Sequence, residues 1–300
     1  MSHHHQHDHD MPVSGARLLI TLILNLIITV AEIIGGIISG SLSLISDALH
    51  NFSDGIAVVI SYIAIRLNRK PKSPHYTFGL KRAQIIAAII NASVLVAISL
   101  YLFYEAYHRF VAPEPIKGGL MIVVATIGLL ANTIGTLLLR TGAKGNMNIR
   151  SAYLHLLSDA ISSMGVIIGG IAIWLWNAYW VDPLLTVLIS LYIIRESYHI
   201  LKEALDIVLM ASPDNISIED ISENLTNIEG IKNIHHVHLW QMDENHIHFE
   251  AHADIEDRPV SETALLLQKI EEMLKEKYDI NHVTIQFECD SCNVKDLLHK

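Results

Sequence analysis

The first two-thirds of this 300-residue chain is a succession of apolar runs, each about as long as a bilayer core is thick. Such runs leave few choices, because a backbone inside hydrocarbon must satisfy its own polar groups and does so as a helix. Six runs are long enough, at approximately Arg17–Ile38, Leu42–Ile65, Ala83–Tyr107, Gly118–Leu139, Ile149–Trp176 and Val181–Tyr198. A hydrophobic content of 51% and a mean hydropathy of +0.36 agree with a membrane location. The first run extends past a short leader core and lacks a small-residue cleavage site, so no removable signal peptide is expected. An even number of spans puts both termini on one side.

Loop charge orients the bundle. Arg66, Arg69, Lys70, Lys72, Lys81 and Arg82 lie between spans two and three, and Arg140, Lys144 and Arg150 between four and five. The opposite loops carry only Arg109 and Lys117 near their ends. The positive-inside rule then predicts a multi-pass protein of the cytoplasmic membrane with both termini cytoplasmic. The same basic residues suit contacts with anionic membrane lipid.

Within this apolar background, a histidine is twice followed four residues later by an aspartate: His50 and Asp54 in LHNFSD, His155 and Asp159 in LHLLSD. Residues i and i+4 of a helix share a face, so each pair aims one imidazole and one carboxylate at a common point. Ionisable groups in a span are costly and usually face a pathway or a partner. Two nitrogens and two oxygens complete a tetrahedral site suited to Zn²⁺. The alternative is a pair of structural polar contacts, and the repeated spacing favours the metal. The shared L-H-x-x-S-D suggests that spans two and five are counterparts at a repeat interface, where transporters often place substrate. Asp47 lies on a nearby face as an entry or supporting group; Asn25, Glu32, Asn91 and Asn132 read as interhelical hydrogen-bonding residues.

Charge breaks sharply near Ile200. Residues 1–200 hold 13 Lys and Arg against 10 Asp and Glu, whereas 201–300 hold 8 against 21. The expected organisation is a tail at 1–16, a six-helix membrane domain at 17–200 and a small soluble domain at 201–300. That last domain reads as helix at about 217–228, strands at 233–242 and 245–255, helix at 260–278 and a strand at 282–288, with Ser217 and Ser261 as capping residues. The pattern gives a ferredoxin-like α+β domain with helices on one face of a sheet.

Six spans, His-x-x-x-Asp in spans two and five, the loop PHYTFGLKRAQ, the His-rich start HHHQHDHD and an α+β C-terminal domain together resemble the cation diffusion facilitator family along essentially the whole chain. The branch is similar to the bacterial zinc/cadmium/cobalt exporters. The resemblance implies a homodimer that exchanges metal for protons, with transported metal held by His50, Asp54, His155 and Asp159. Manganese-type members carry aspartate for histidine, so Zn²⁺ is the expected cargo, extending to Cd²⁺ and Co²⁺. Independent chemistry agrees: imidazole suits zinc, and its ordinary pKa of about 6.5 lets protons compete for the same nitrogen.

Further metal candidates lie outside the spans. The resemblance places cytoplasmic ligands at His238 and His252; its third position, a histidine in some members, is Gln286 here, with Glu288 two residues on. Cys289 and Cys292 form a CDSC pair whose spacing suits thiolate chelation, with a redox role as the alternative. The family's terminal cysteine pairs can join ligands from a partner's N-terminal segment. His75 is a loop candidate, although an aspartate used there by some relatives is Ser73. The His-rich tail reads as a metal-capturing segment, and the acidic domain as a zinc-responsive regulator that tightens the dimer. The strongest competing function is a membrane-embedded metal sensor without turnover. No HExxH occurs, and four ligands leave no coordination position for a catalytic water, which excludes an enzyme from the expectation. An acidic soluble part with no basic surface likewise excludes nucleic-acid binding.

Overall fold

The computed structural model describes residues 15–68, 72–140, 147–243, 245–289 and 296–298. The His-rich tail and Cys292 lie outside these residues. Six long helices come first: α1 (Gly15–Ser39), α2 (Leu42–Asn68), α3 (Ala83–Val111), α4 (Gly118–Leu139), α5 (Met147–Trp176) and α6 (Val181–Val208). Among the described residues, the stretches Ala83–Val111, Gly118–Leu139, Tyr153–Trp176 and Val181–Val208 are each long and apolar enough to cross a membrane. Helix α2 is as long and carries the polar groups Asp47, His50, Asn51 and Asp54 within its apolar sequence. Large apolar side chains such as Leu26, Ile90, Leu130, Ile168 and Trp174 point outward. Water would not tolerate that surface; a lipid environment does.

Close helix approach uses small residues. A Cβ on Gly118 would stand 2.8 Å from the Gly170 carbonyl oxygen, so α4 and α5 touch backbone to backbone. The α1–α2 turn is a hub at one end of the bundle. Asp182, at the start of α6 and fully buried, accepts hydrogen bonds from Leu42 N (2.8 Å), Ser43 N (3.2 Å) and both Ser41 and Ser43 hydroxyls (2.6 Å each). The first N–H groups of a helix have no partner within it, and here a neighbouring helix supplies one. Arg109 donates to the Gly40 carbonyl, and Lys117 N to Ser39 O, so α3 and the start of α4 grip the same turn.

The chain packs as two compact units that divide at Ile200, with Tyr62–Ile89 joining the C-terminal one. One unit contains Ile90–His199 with the chain up to Ser61; the other contains Tyr62–Ile89 and the chain from Ile200 onward. Ile200 falls inside α6, because Lys202, Glu203 and Asp206 change the polarity of the helix without breaking it. In the second unit, Ile85 and Ile89 of α3 pack on Ala204, Ile207 and Val208 of α6.

The C-terminal part continues with α7 (Ile218–Thr226), β1 (Ile231–Asp243), β2 (His246–Ile255), α8 (Val260–Tyr278) and β3 (His282–Glu288). Strand order is β1-β2-β3, with β1 and β2 antiparallel and β2 and β3 parallel across α8. The core joins Phe249, Ala251 and Ala253 of β2 to Ile221 and Leu225 of α7 and Ile270 and Leu274 of α8. Ser217 caps α7, accepting from Asp220 N at 3.1 Å. Ser261 does not cap α8: Pro259, with φ fixed at −59°, opens the helix earlier and leaves Ser261 in the first turn. A bulge interrupts β1 at His236, whose φ is +52°. Beyond β3, Asp296 and Leu297 return to the edge of β1, their carbonyls accepting from His236 N and Val237 N.

Candidate metal centre

Helix α2 presents Asp47, His50, Asn51 and Asp54 along one stripe; α5 presents His155, Asp159, Ser162 and Ser163 along another. The stripes face each other. Asp54 Oδ2 stands 3.6 Å from His50 Nε2 and 3.2 Å from His155 Nε2, bridging the helices, and His155 Nε2 lies 3.5 Å from Asp159 Oδ2. The two imidazoles meet edge to face, with centroids 5.8 Å apart.

These spacings fit an ion. Ligand atoms about 2.0–2.1 Å from a tetrahedral Zn²⁺ stand about 3.3 Å from one another. His155 Nε2, Asp54 Oδ2 and Asp159 Oδ2 are buried and make no hydrogen bond among the described residues. Such atoms are costly unless something satisfies them; His50, His155 and Asp159 bring one ligand atom each within 4.8 Å of one another, as a metal ion requires, and Asp54 stands beside that group. A cavity of ≈ 360 Å³ reaches the cluster, lined by Asp47, His50 and Asp159 on one side and Leu185, Leu188 and Tyr192 of α6 on the other. Asp47, itself buried, accepts a hydrogen bond from Ser162 Oγ at 2.8 Å. Ser162 was not anticipated, although it lies three residues after Asp159 on the ligand stripe. The interhelical role expected of the spans' asparagines appears in Ser53 Oγ donating to Asn91 at 3.0 Å.

The sheet gathers a second cluster. His252 Nδ1 is 2.9 Å from Glu288 Oε1, and His235 Nε2 is 3.4 Å from Glu288 Oε2. Gln286 Nε2 donates to Glu288 Oε1 at 2.8 Å, so the residue standing where some relatives have histidine orients the carboxylate. His238 is not part of this cluster. The bulge at His236 shifts the register, setting His235 opposite His252 and His238 opposite Glu250. Alternation along the strand could not reveal that shift, since the bulged residue carries no glycine to mark it.

The remaining candidates stand apart. Cys289 is a free, exposed thiol. His75 is exposed, stacked edge-on against Tyr76 and in no metal-competent group among the described residues; Ser73 accepts from Tyr76 N, shaping the turn. His248 and His282 pair across β2 and β3 with ring centroids 4.6 Å apart, and Phe78 packs on His248. Burial, with the charges of His282 and Lys81, holds the His248 pKa below its ordinary value.

Comparison with known proteins gives two family matches: a cation efflux transmembrane domain over residues 18–209 and a cation efflux protein cytoplasmic domain over residues 213–290. Among similar proteins is "Zinc transporter ZitB" of Pectobacterium atrosepticum, 38% identical over 96% of this chain and 90% of that protein. A "Cadmium, cobalt and zinc/H(+)-K(+) antiporter" of Bacillus subtilis is 37% identical over 96% and 93%. "Metal cation efflux system protein CzcD" of Cupriavidus metallidurans is 36% identical over 97% and 92%.

Proposed function

The chain belongs to the cation efflux family, and from that premise we propose that it exports divalent metal from the cytoplasm in exchange for protons, with Zn²⁺ as preferred cargo. The observation that carries this reading is the convergence of His50, His155 and Asp159 from two helices on one ion-sized point beside a cavity, with Asp54 within 3.6 Å of both imidazoles. Two imidazole nitrogens favour zinc over hard cations that prefer an all-oxygen shell. Cd²⁺ and Co²⁺ are further cargoes, in keeping with the names of two relatives. Four protein ligands fill the tetrahedron and leave no position for an activated water, so the site transports rather than catalyses.

In this reading the protein is a homodimer of the cytoplasmic membrane with both termini inside. Metal enters the cluster from the cytoplasmic side, and protons arriving from outside compete for the imidazoles and displace it. His235, His252 and Glu288 form a regulatory metal site in the C-terminal domain, where bound cation offsets a strongly acidic charge.

The test is zinc flux into proteoliposomes carrying an imposed pH gradient, comparing the intact chain with Asp54→Ala and Asp159→Ala. Gradient-driven flux that both substitutions abolish is the expected result. Zinc binding without flux in the intact chain would favour a sensor, and flux surviving both substitutions would move the pathway elsewhere.

A further inference from the structure

Glu32 is a deeply buried carboxyl group that the metal cluster leaves unused and, unlike Asp182, it keeps one oxygen without a partner among the described residues. It sits in the middle of α1 at 1% exposure. Its Oε2 accepts one hydrogen bond, from Asn51 Nδ2 at 3.2 Å, and its Oε1 makes none among the described residues. Space has been kept for that free oxygen. A Cβ on Gly128 of α4 would stand 2.6 Å from Glu32 Oε1 and 3.5 Å from Ser163 Oγ, so both atoms converge where a side chain is missing. Ser163 Oγ and Asn51 Oδ1 are likewise buried and without hydrogen-bond partners among the described residues.

The donor set selects the ligand. Hard cations bound by oxygen need about six ligands, and this pocket offers a carboxylate oxygen, a hydroxyl and an amide oxygen. It contains no imidazole or thiolate to hold zinc. A single proton suffices: the neutral acid gains an O–H that Ser163 Oγ or Asn51 Oδ1 accepts, and the costly buried charge disappears.

We infer that Glu32, backed by Gly128 and flanked by Asn51 and Ser163, is a second binding site for a counter-transported proton, apart from the imidazoles. This rests on the metal-for-proton reading above. The carboxylate takes up one proton from one side of the membrane, and the carboxylic acid releases it to the other. Asn51 directly follows the ligand His50, and Ser163 lies four residues after the ligand Asp159, so the helices that hold metal also hold this pocket. The charged groups acting on Glu32 are Asp47 from α2 and Asp159 from α5, while α4 presents Gly128. A bound metal and a proton on Glu32 are two positive charges held by the same pair of helices, so each weakens the hold on the other. Linkage makes the effect reciprocal, which is the condition for exchange.

The experiment measures zinc flux and proton flux together in proteoliposomes, by an internal metal dye and an internal pH dye, and zinc affinity on the detergent-solubilised full chain. Glu32→Gln, which mimics the protonated acid, should lower zinc affinity severalfold at neutral pH, lower gradient-driven zinc flux about tenfold and reduce the protons moved per zinc. Glu32→Asp should restore part of the coupling. Ser163→Ala keeps the carboxylate and removes one acceptor, so its flux should reach half-maximum at a different pH from the intact chain. Unchanged protons per zinc in Glu32→Gln would overturn the assignment. If that variant fails to fold, an unchanged pH profile in Ser163→Ala would overturn it instead. Intact chain that moves zinc with no proton flux would overturn the exchange reading and this site with it, whereas normal coupling in both proteins overturns this site alone.

Discussion

The two His-carboxylate clusters are built from the same chemistry and differ in what satisfies them. In the helical bundle, Asp54 and Asp159 approach the imidazoles at 3.2–3.6 Å, and the facing atoms make no hydrogen bonds among the described residues. In the sheet, His235 Nε2, His252 Nδ1 and Glu288 Oε2 likewise make no hydrogen bond among the described residues, but Glu288 Oε1 accepts one from Gln286. The helical cluster is organised from outside, by Ser162 on Asp47 and by helix packing, and keeps its ligand atoms free for a passing ion. The sheet cluster partly satisfies itself. A site that must release its cargo benefits from the first arrangement, and a site that adjusts a domain benefits from the second.

The largest test of that contrast is Asp159→Asn. Replacing a free ligand oxygen should lower zinc affinity at least about 100-fold, by calorimetric or dye titration, while the thermal midpoint in detergent hardly moves. A large loss of stability would mean that the carboxylate is structural and the contrast misdrawn. Next comes Asp182→Ala, which removes the acceptor for four donors at the start of α2. It should cost about 2–4 kcal/mol, seen as an early thermal midpoint. Zinc affinity in the protein that remains folded should survive, since Asp182 touches no ligand.

The sheet offers a finer comparison. On the full chain, His235→Ala should weaken binding of the second zinc about tenfold, whereas His238→Ala should leave it unchanged. Equal effects would return His238 to the site. The smallest effect is one of pH. Because the His248 pKa is depressed from its ordinary 6.5, the unfolded chain takes up that proton first as pH falls. Stability from this residue is therefore complete above that value and lost below it. His248→Gln should flatten the dependence between pH 6.5 and 5, shifting the midpoint by no more than about 4 °C.

Legibility followed the same divide. A helix has a fixed period, so His50, Asp54, His155 and Asp159 announce a shared face through spacing alone, and neighbouring packing brings the faces together. Ser162 carries that signal too, but serine is common in spans and bears no charge to draw notice. In the sheet, one inserted residue at His236 changes which histidine opposes His252, and no local residue type marks the insertion. Pro259 displaced the start of α8 from Ser261 in a comparable way. The charge break near Ile200 was visible, yet it records a change of solvent rather than the end of a helix, and α6 continues to Val208.

The hub at the α1–α2 turn has a mechanical consequence. With Asp182 clamped to residues 41–43, α2 and α6 share a fulcrum at one end of the bundle, and neither can slide past the other there. Relative movement must then be a tweezer-like swing, with amplitude growing along the arms. His50 lies eight residues from Leu42, a lever of about 12 Å, so a swing of about 10° carries it about 2 Å. That displacement matches a whole zinc–ligand bond length. Because Gly169 of α5 packs on Leu185 of α6, a modest swing of α2 about that one aspartate parts His50 and Asp54 from His155 and Asp159.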